Sequence, residues 1–105
     1  MDKEISAADA SKLRGEAGTL FLDVRNADEL AICSIDGACH IPMAEIPERL
    51  PEIPKDQKLV IFCHHGMRSM QVLEFLAQRG YSAVSSLRGG IDSWAVSIDP
   101  QMRRY

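Results

Sequence analysis

Hydrophobic and polar positions along this chain fall into two alternating rhythms. Short apolar runs of strand length lie at Ile5 and at residues 19–24, 39–41, 58–62 and 82–87. Between them come stretches whose apolar residues recur three and four positions apart, the period of one helix face. Ser6 with Asp9 three positions on has capping-box spacing and opens a helix expected to end near Gly15 or Gly18. Asn26 and Glu29 repeat that spacing for a short helix through Ala31. Residues 43–50 predict a weaker helix limited by Pro47, and residues 51–56 a turn-rich connector. Val72, Leu73, Leu76 and Ala77 share one face of a helix predicted over 69–79, with Gly80 at its carboxyl end. Residues 91–96 suit a closing helix that starts after Gly89-Gly90 and stops before Pro100.

Strands alternating with helices imply an α/β fold: three layers, α/β/α, around a central parallel sheet of about five strands. The run 19–24 is apolar until Asp23, as a buried parallel strand is when it reaches an open carboxyl edge. Ligands collect beyond that edge, where Asp23, Arg25, Cys63 and the residues after Leu87 would emerge.

The most informative stretch is residues 58–79, KLVIFCHHGMRSMQVLEFLAQR. Strand, turn and helix follow one another, and the turn Cys63-His64-His65-Gly66-Met67-Arg68 must reverse the chain within six residues. Such a reversal points successive backbone N–H groups at its own concave side and holds anions there. Gly66 supplies the conformational freedom the turn needs. A cysteine at the first position sits in the field of those N–H groups, of the helix N-terminus and of Arg68, each favouring thiolate over thiol. Cys63 is therefore the expected nucleophile, and the competing reading is a buried cysteine ending an ordinary core strand.

Composition narrows the class. With 105 residues and 46% apolar content, the chain is expected to form a single domain over residues 1–105. A net charge of −3 offers no basic footprint for nucleic acid, and no apolar run approaches membrane-spanning length. The amino end, Met1-Asp2-Lys3-Glu4, lacks the layout of a signal peptide, so a cytoplasmic location is expected. Three cysteines, an odd number, argue for thiols over a disulfide framework. Cys33 and Cys39 with His40 are weak candidates for zinc, because Cys39 and His40 are neighbours on a predicted strand and face opposite sides. No metal and no cofactor are expected.

CHHGMRS after an apolar strand resembles the active loop of the rhodanese-like sulfurtransferases. LDVR at residues 22–25 with Glu29 following, GACHIP at 37–42 and LRGGIDSWA at 87–95 resemble other segments of single-domain members, so the likeness covers roughly residues 5 to 97. Where the family often has Gly-His-Ile-Pro-Gly-Ala, this chain has Cys33-Ser34-Ile35-Asp36-Gly37-Ala38. Related Cdc25-type phosphatases and arsenate reductases have a loop one residue longer, so the resemblance implies sulfur transfer over phosphate hydrolysis. It implies a persulfide on Cys63, loaded from a small-molecule donor such as thiosulfate or a persulfide and unloaded to cyanide, a small thiol or a protein thiol. A persulfide carrier or redox module in a protein relay is the alternative, and a phosphatase or arsenate reductase a more distant one.

Within that scheme the amides of His64, His65, Gly66, Met67, Arg68 and Ser69 would hold the persulfide, and the Arg68 side chain would bind the donor anion. The His64 and His65 rings either tune the loop or face solvent, and Ser69 caps the helix start or donates to the persulfide. Arg25 has two uses open to it, a positive rim to the site or a pair with Asp23 or another nearby acid. Trp94 is expected in the core.

Overall fold

The computed structural model describes residues 3–105; Met1 and Asp2, and with them part of the amino-end reading, lie outside the described residues. Among the described residues five strands form the sheet: β1 (Glu4–Ile5), β2 (Thr19–Asp23), β3 (Cys39–His40), β4 (Lys58–Phe62) and β5 (Val84–Leu87). Every pairing is parallel, in the order β1-β5-β4-β2-β3. Helices α1 (Ala7–Leu13), α2 (Ala27–Leu30), α3 (Met67–Ala77) and α4 (Gly90–Ser97) complete the α/β architecture.

Alternation along β4 builds the two cores. Leu59 and Ile61 pack with Val72, Leu73 and Leu76 of α3, whereas Val60 and Phe62 pack with Ala7 and Ala10 of α1 and Ile91 and Trp94 of α4. These four β4 side chains are fully buried, each worth about 1.5–3 kcal/mol of transfer free energy. Trp94 packs in the second core, edge-on to Phe21 at 5.8 Å. Cys63 follows β4 and, by the same alternation, turns toward the α3 side. Among the described residues, no helix is long and apolar enough to cross a membrane.

The predicted helix over 43–50 is instead two 3₁₀ turns, Met43–Glu45 and Leu50–Glu52. Pro47 cannot donate to an α-helical ladder, so each turn closes separately, through Ile46 N to Met43 O at 3.2 Å and Ile53 N to Leu50 O at 2.9 Å. Helix α3 begins two residues earlier than its hydrophobic period predicts. Gly66, with φ of 115°, sits at its N-cap and turns the chain directly into the helix. Met67, Arg68 and Ser69 thus belong to the first helical turn, and the irregular part of the loop is only residues 63–66.

Candidate active site

The loop is pinned where β4 ends. The Cys63 carbonyl accepts from Ile91 N at 2.8 Å and the His64 carbonyl from Asp92 N at 3.2 Å, so the start of α4 holds the first turn of the loop. Cys63 is only 1% exposed. Its sulfur is nonetheless surrounded by donors: Gly66 N lies 3.1 Å from Sγ and Ser69 N 3.4 Å. Both N–H groups come from the N-terminal end of α3, where the helix leaves its first amides without intrahelical partners. Negative charge placed at Sγ would meet these two N–H donors.

Ser69 is fully buried beside the sulfur. Its hydroxyl donates to Gly66 O at 3.1 Å, shares a 2.7 Å contact with Ser86 of β5, and lies 3.6 Å from Sγ. It therefore steadies the inner wall of the loop from within the helix instead of capping the helix start. Met67 points the other way and is 78% exposed.

Charged side chains around this edge are paired. Arg68 donates to Glu29 through both terminal nitrogens, at 2.6 and 2.9 Å. These bonds lower the Glu29 carboxyl from its ordinary 4.5 to about 2 against the opposing effect of burial, while Arg68 is raised, mainly by Glu29. A Cys63 thiolate also acts on Arg68, so the guanidinium is within electrostatic range of the sulfur. Because the Glu29 carboxyl is depressed, its stabilisation is complete above pH 4.5 and is lost as pH falls toward 2. Urea unfolding should accordingly show stability falling more steeply over that interval in wild type than in Glu29→Gln; equal slopes would mean that the pair contributes nothing.

Arg25 takes the paired use and does not form an exposed rim: it is fully buried and bonded to Asp23 through Nε and Nη2, the closest contact 2.7 Å. Its other hydrogen bonds reach Cys33 O, Glu29 O and Tyr105 Oη. Burial opposes its charge, but the bonds to Asp23 and Tyr105 outweigh that and raise its pKa.

The chain after α4 returns to the site, a contribution absent from the sequence reading. Tyr105 Oη donates to Glu29 Oε2 at 2.7 Å, and its ring stacks on His64 at 3.8 Å and 8°. Burial raises the Tyr105 phenol to about 12, with Glu29 adding to the effect and Arg25 opposing it. Arg104 holds Asp92 through two bonds of 2.8 and 3.1 Å. His64 is lowered by burial and then by His65, whose ring stacks on it at 3.8 Å. Cys33 lines the narrow cleft between this segment and His64.

Sequence spacing gave no signal for Tyr105, Arg104, Asp92 or Ser86, because each reaches the loop from a distant part of the chain. Glu29 had a local explanation as a cap, and it does accept from Asn26 N at 3.1 Å while also binding Arg68. Among the described residues, one group could offer metal ligands, His64, His65 and Asp92, with ligand atoms within 4.8 Å of one another. Both Asp92 oxygens already accept from Arg104.

A cysteine beside helix N-terminal amides at the carboxyl edge of a parallel sheet places the chain among the α/β proteins that carry their candidate site beyond the strand ends. The chain belongs to the rhodanese-like domain family, whose model matches residues 6–97. It is 43% identical over 96 residues to a sulfurtransferase of Allochromatium vinosum, covering 90% of both chains. It is 32% identical over 94 residues to the thiosulfate sulfurtransferase GlpE of Coxiella burnetii, covering 90% of this chain and 88% of that one. The crystal structure of a rhodanese-related protein from Thermoplasma volcanium superposes with a TM-score of 0.84 at 34% identity, covering 91% of this chain and 93% of the other.

Proposed function

We propose that this protein moves a sulfane sulfur from a donor such as thiosulfate, through a persulfide on Cys63, to a thiophilic acceptor: cyanide, a small thiol or a protein thiol. The supporting observation is the pair of N–H groups, from Gly66 and Ser69, directed at Sγ. In the first step the Cys63 thiolate attacks the outer sulfur of the donor. A sulfur–sulfur bond forms to Sγ, the donor's own bond to that sulfur breaks, and the leaving group departs with the electron pair; from thiosulfate that group is sulfite. In the second step an acceptor nucleophile attacks the terminal sulfur and regenerates the thiolate. Sulfite and thiolates leave as stable anions, so main-chain electrostatics suffices without a general acid.

On this reading the terminal sulfur is cradled by the amides between His64 and Ser69, of which Gly66 N and Ser69 N are directed at Sγ, with Ser69 Oγ at the inner wall. The near-complete burial of Cys63 favours a second form of the same chemistry, in which the persulfide is passed within a protein relay and a partner opens the loop. Treatment with thiosulfate should add about 32 Da, one sulfur, to the peptide containing Cys63, and cyanide should remove it. Addition at Cys33 or Cys39 instead, or at no cysteine, would overturn the assignment.

A further inference from the structure

Arginines around the active loop are matched to carboxylates. Arg68 is closed on Glu29, Arg25 on Asp23 and Arg104 on Asp92, and Arg88, which follows β5 at the same edge, has Nε 3.4 Å from Glu4. The two positions that directly follow Cys63 are histidines, and burial together with His65 lowers His64, which favours its neutral form at pH 7. Arg103 lines the cleft at Cys33 and His64 but is exposed, where solvent and salt screen it. Directed at the sulfur are the N–H groups of Gly66 and Ser69, at 3.1 and 3.4 Å, while the Arg68 charge reaches it already paired with Glu29.

That balance suits one kind of donor. Thiosulfate brings two negative charges into the loop, and taking them out of water is costly unless an uncommitted cation receives them. A hydropersulfide, RS–SH, brings at most one charge at its reacting sulfur, which amide N–H groups can stabilise. We infer that Glu29 sets donor selectivity by holding the Arg68 guanidinium in a closed ion pair, so that the site favours low-charge persulfides over thiosulfate. The inference rests on the reading that Cys63 carries the transferred sulfur. In the favoured step the Cys63 thiolate bonds to the outer sulfur of RS–SH, the RS–S bond breaks, and RS⁻ leaves with the electron pair. The proton stays on the terminal sulfur or passes to solvent, and no external oxidant or reductant is needed.

Glu29 is a positioning residue, acting through Arg68. It is held from two further sides, by Tyr105 Oη at 2.7 Å and Asn26 N at 3.1 Å, so the carboxylate cannot swing away without losing those bonds.

The test is single-turnover loading of Cys63, read by intact mass, from thiosulfate and from cysteine hydropersulfide. Glu29→Gln leaves Arg68 without its counter-charge, and the thiosulfate-to-persulfide rate ratio is expected to rise about tenfold over wild type. Glu29→Asp, which keeps the charge, should stay near the wild-type ratio, and Glu29→Gln combined with Arg68→Ala should return to it. A Glu29→Gln ratio within about twofold of wild type, or a gain that survives loss of Arg68, overturns the inference. Wild type supplies a check that needs no variant: between about 50 and 500 mM salt, thiosulfate loading should change less than about twofold, and a steep fall would reveal an uncommitted cation and overturn it. If neither donor loads Cys63 in folded wild type, the sulfurtransferase reading itself fails and the selectivity inference falls with it.

Discussion

Cys63→Ser is expected to fold and to lose sulfur transfer by about a thousandfold or more. The hydroxyl would occupy the place of the thiol and could accept from the same amides, Gly66 N and Ser69 N. It would not ionise at neutral pH, and it cannot carry a sulfane sulfur through a sulfur–sulfur bond. Shrinking one buried atom should cost about 1 kcal/mol, well within the stability of a domain of this size. Transfer from thiosulfate or a hydropersulfide, measured beside a thermal melt, separates the two effects. Activity within about tenfold of wild type in the folded variant would place the carrier sulfur on Cys33 or Cys39 and remove the amide cradle from the mechanism.

Gly90→Ala is expected to destabilise the protein by about 2–5 kcal/mol and to disrupt the active loop. An added Cβ would meet three main-chain atoms: His64 O at 2.3 Å, Cys63 O at 2.5 Å and the His64 carbonyl carbon at 2.5 Å. Backbone cannot rotate aside as a side-chain tip can. The same two carbonyls accept from Ile91 N and Asp92 N, so relieving the clash means breaking the bonds that pin the loop to α4. A positive φ of 64° adds strain for any residue with a side chain. Gly37→Ala is the comparison, since a Cβ there meets nothing within 4 Å and only the left-handed backbone conformation, worth about 1–2 kcal/mol, is at stake. Urea denaturation of both variants checks the difference; equal costs would mean that the α4 start does not press on the loop.

Both predictions concern a loop that local pattern already announces. Residues 58–62 form a strand because Leu59, Val60, Ile61 and Phe62 are buried on alternate faces, and the change to helical period after Gly66 places a turn at Cys63. Helix α3 starts two residues before its hydrophobic period predicts, since periodicity does not register a glycine at φ 115° that lets helix begin at once. After β3 the apolar spacing is helical, but Pro47 goes further than shortening the helix: it removes a donor the ladder needs, and two 3₁₀ turns form in its place.

Side-chain partners are a different matter. Arg68 finds Glu29 39 positions away and Tyr105 finds Glu29 76 positions away, and nothing in the spacing of these residues selects those pairs over others of like charge. Arg68 therefore reads, from sequence, as a cation waiting for an anion, whereas in the folded protein its fork is already filled.

Local pattern was enough to place the alternation of strands and helices, the parallel sheet, its open carboxyl edge and the cysteine at that edge. These follow from periodicity and turn chemistry, which act between residues a few positions apart. Folding in three dimensions set which charges near the sulfur are committed, laid Tyr105 over His64 and braced the loop with the start of α4. Those outcomes depend on ångström distances between parts of the chain joined by loops, and electrostatic pairing and steric contact are set by those distances alone.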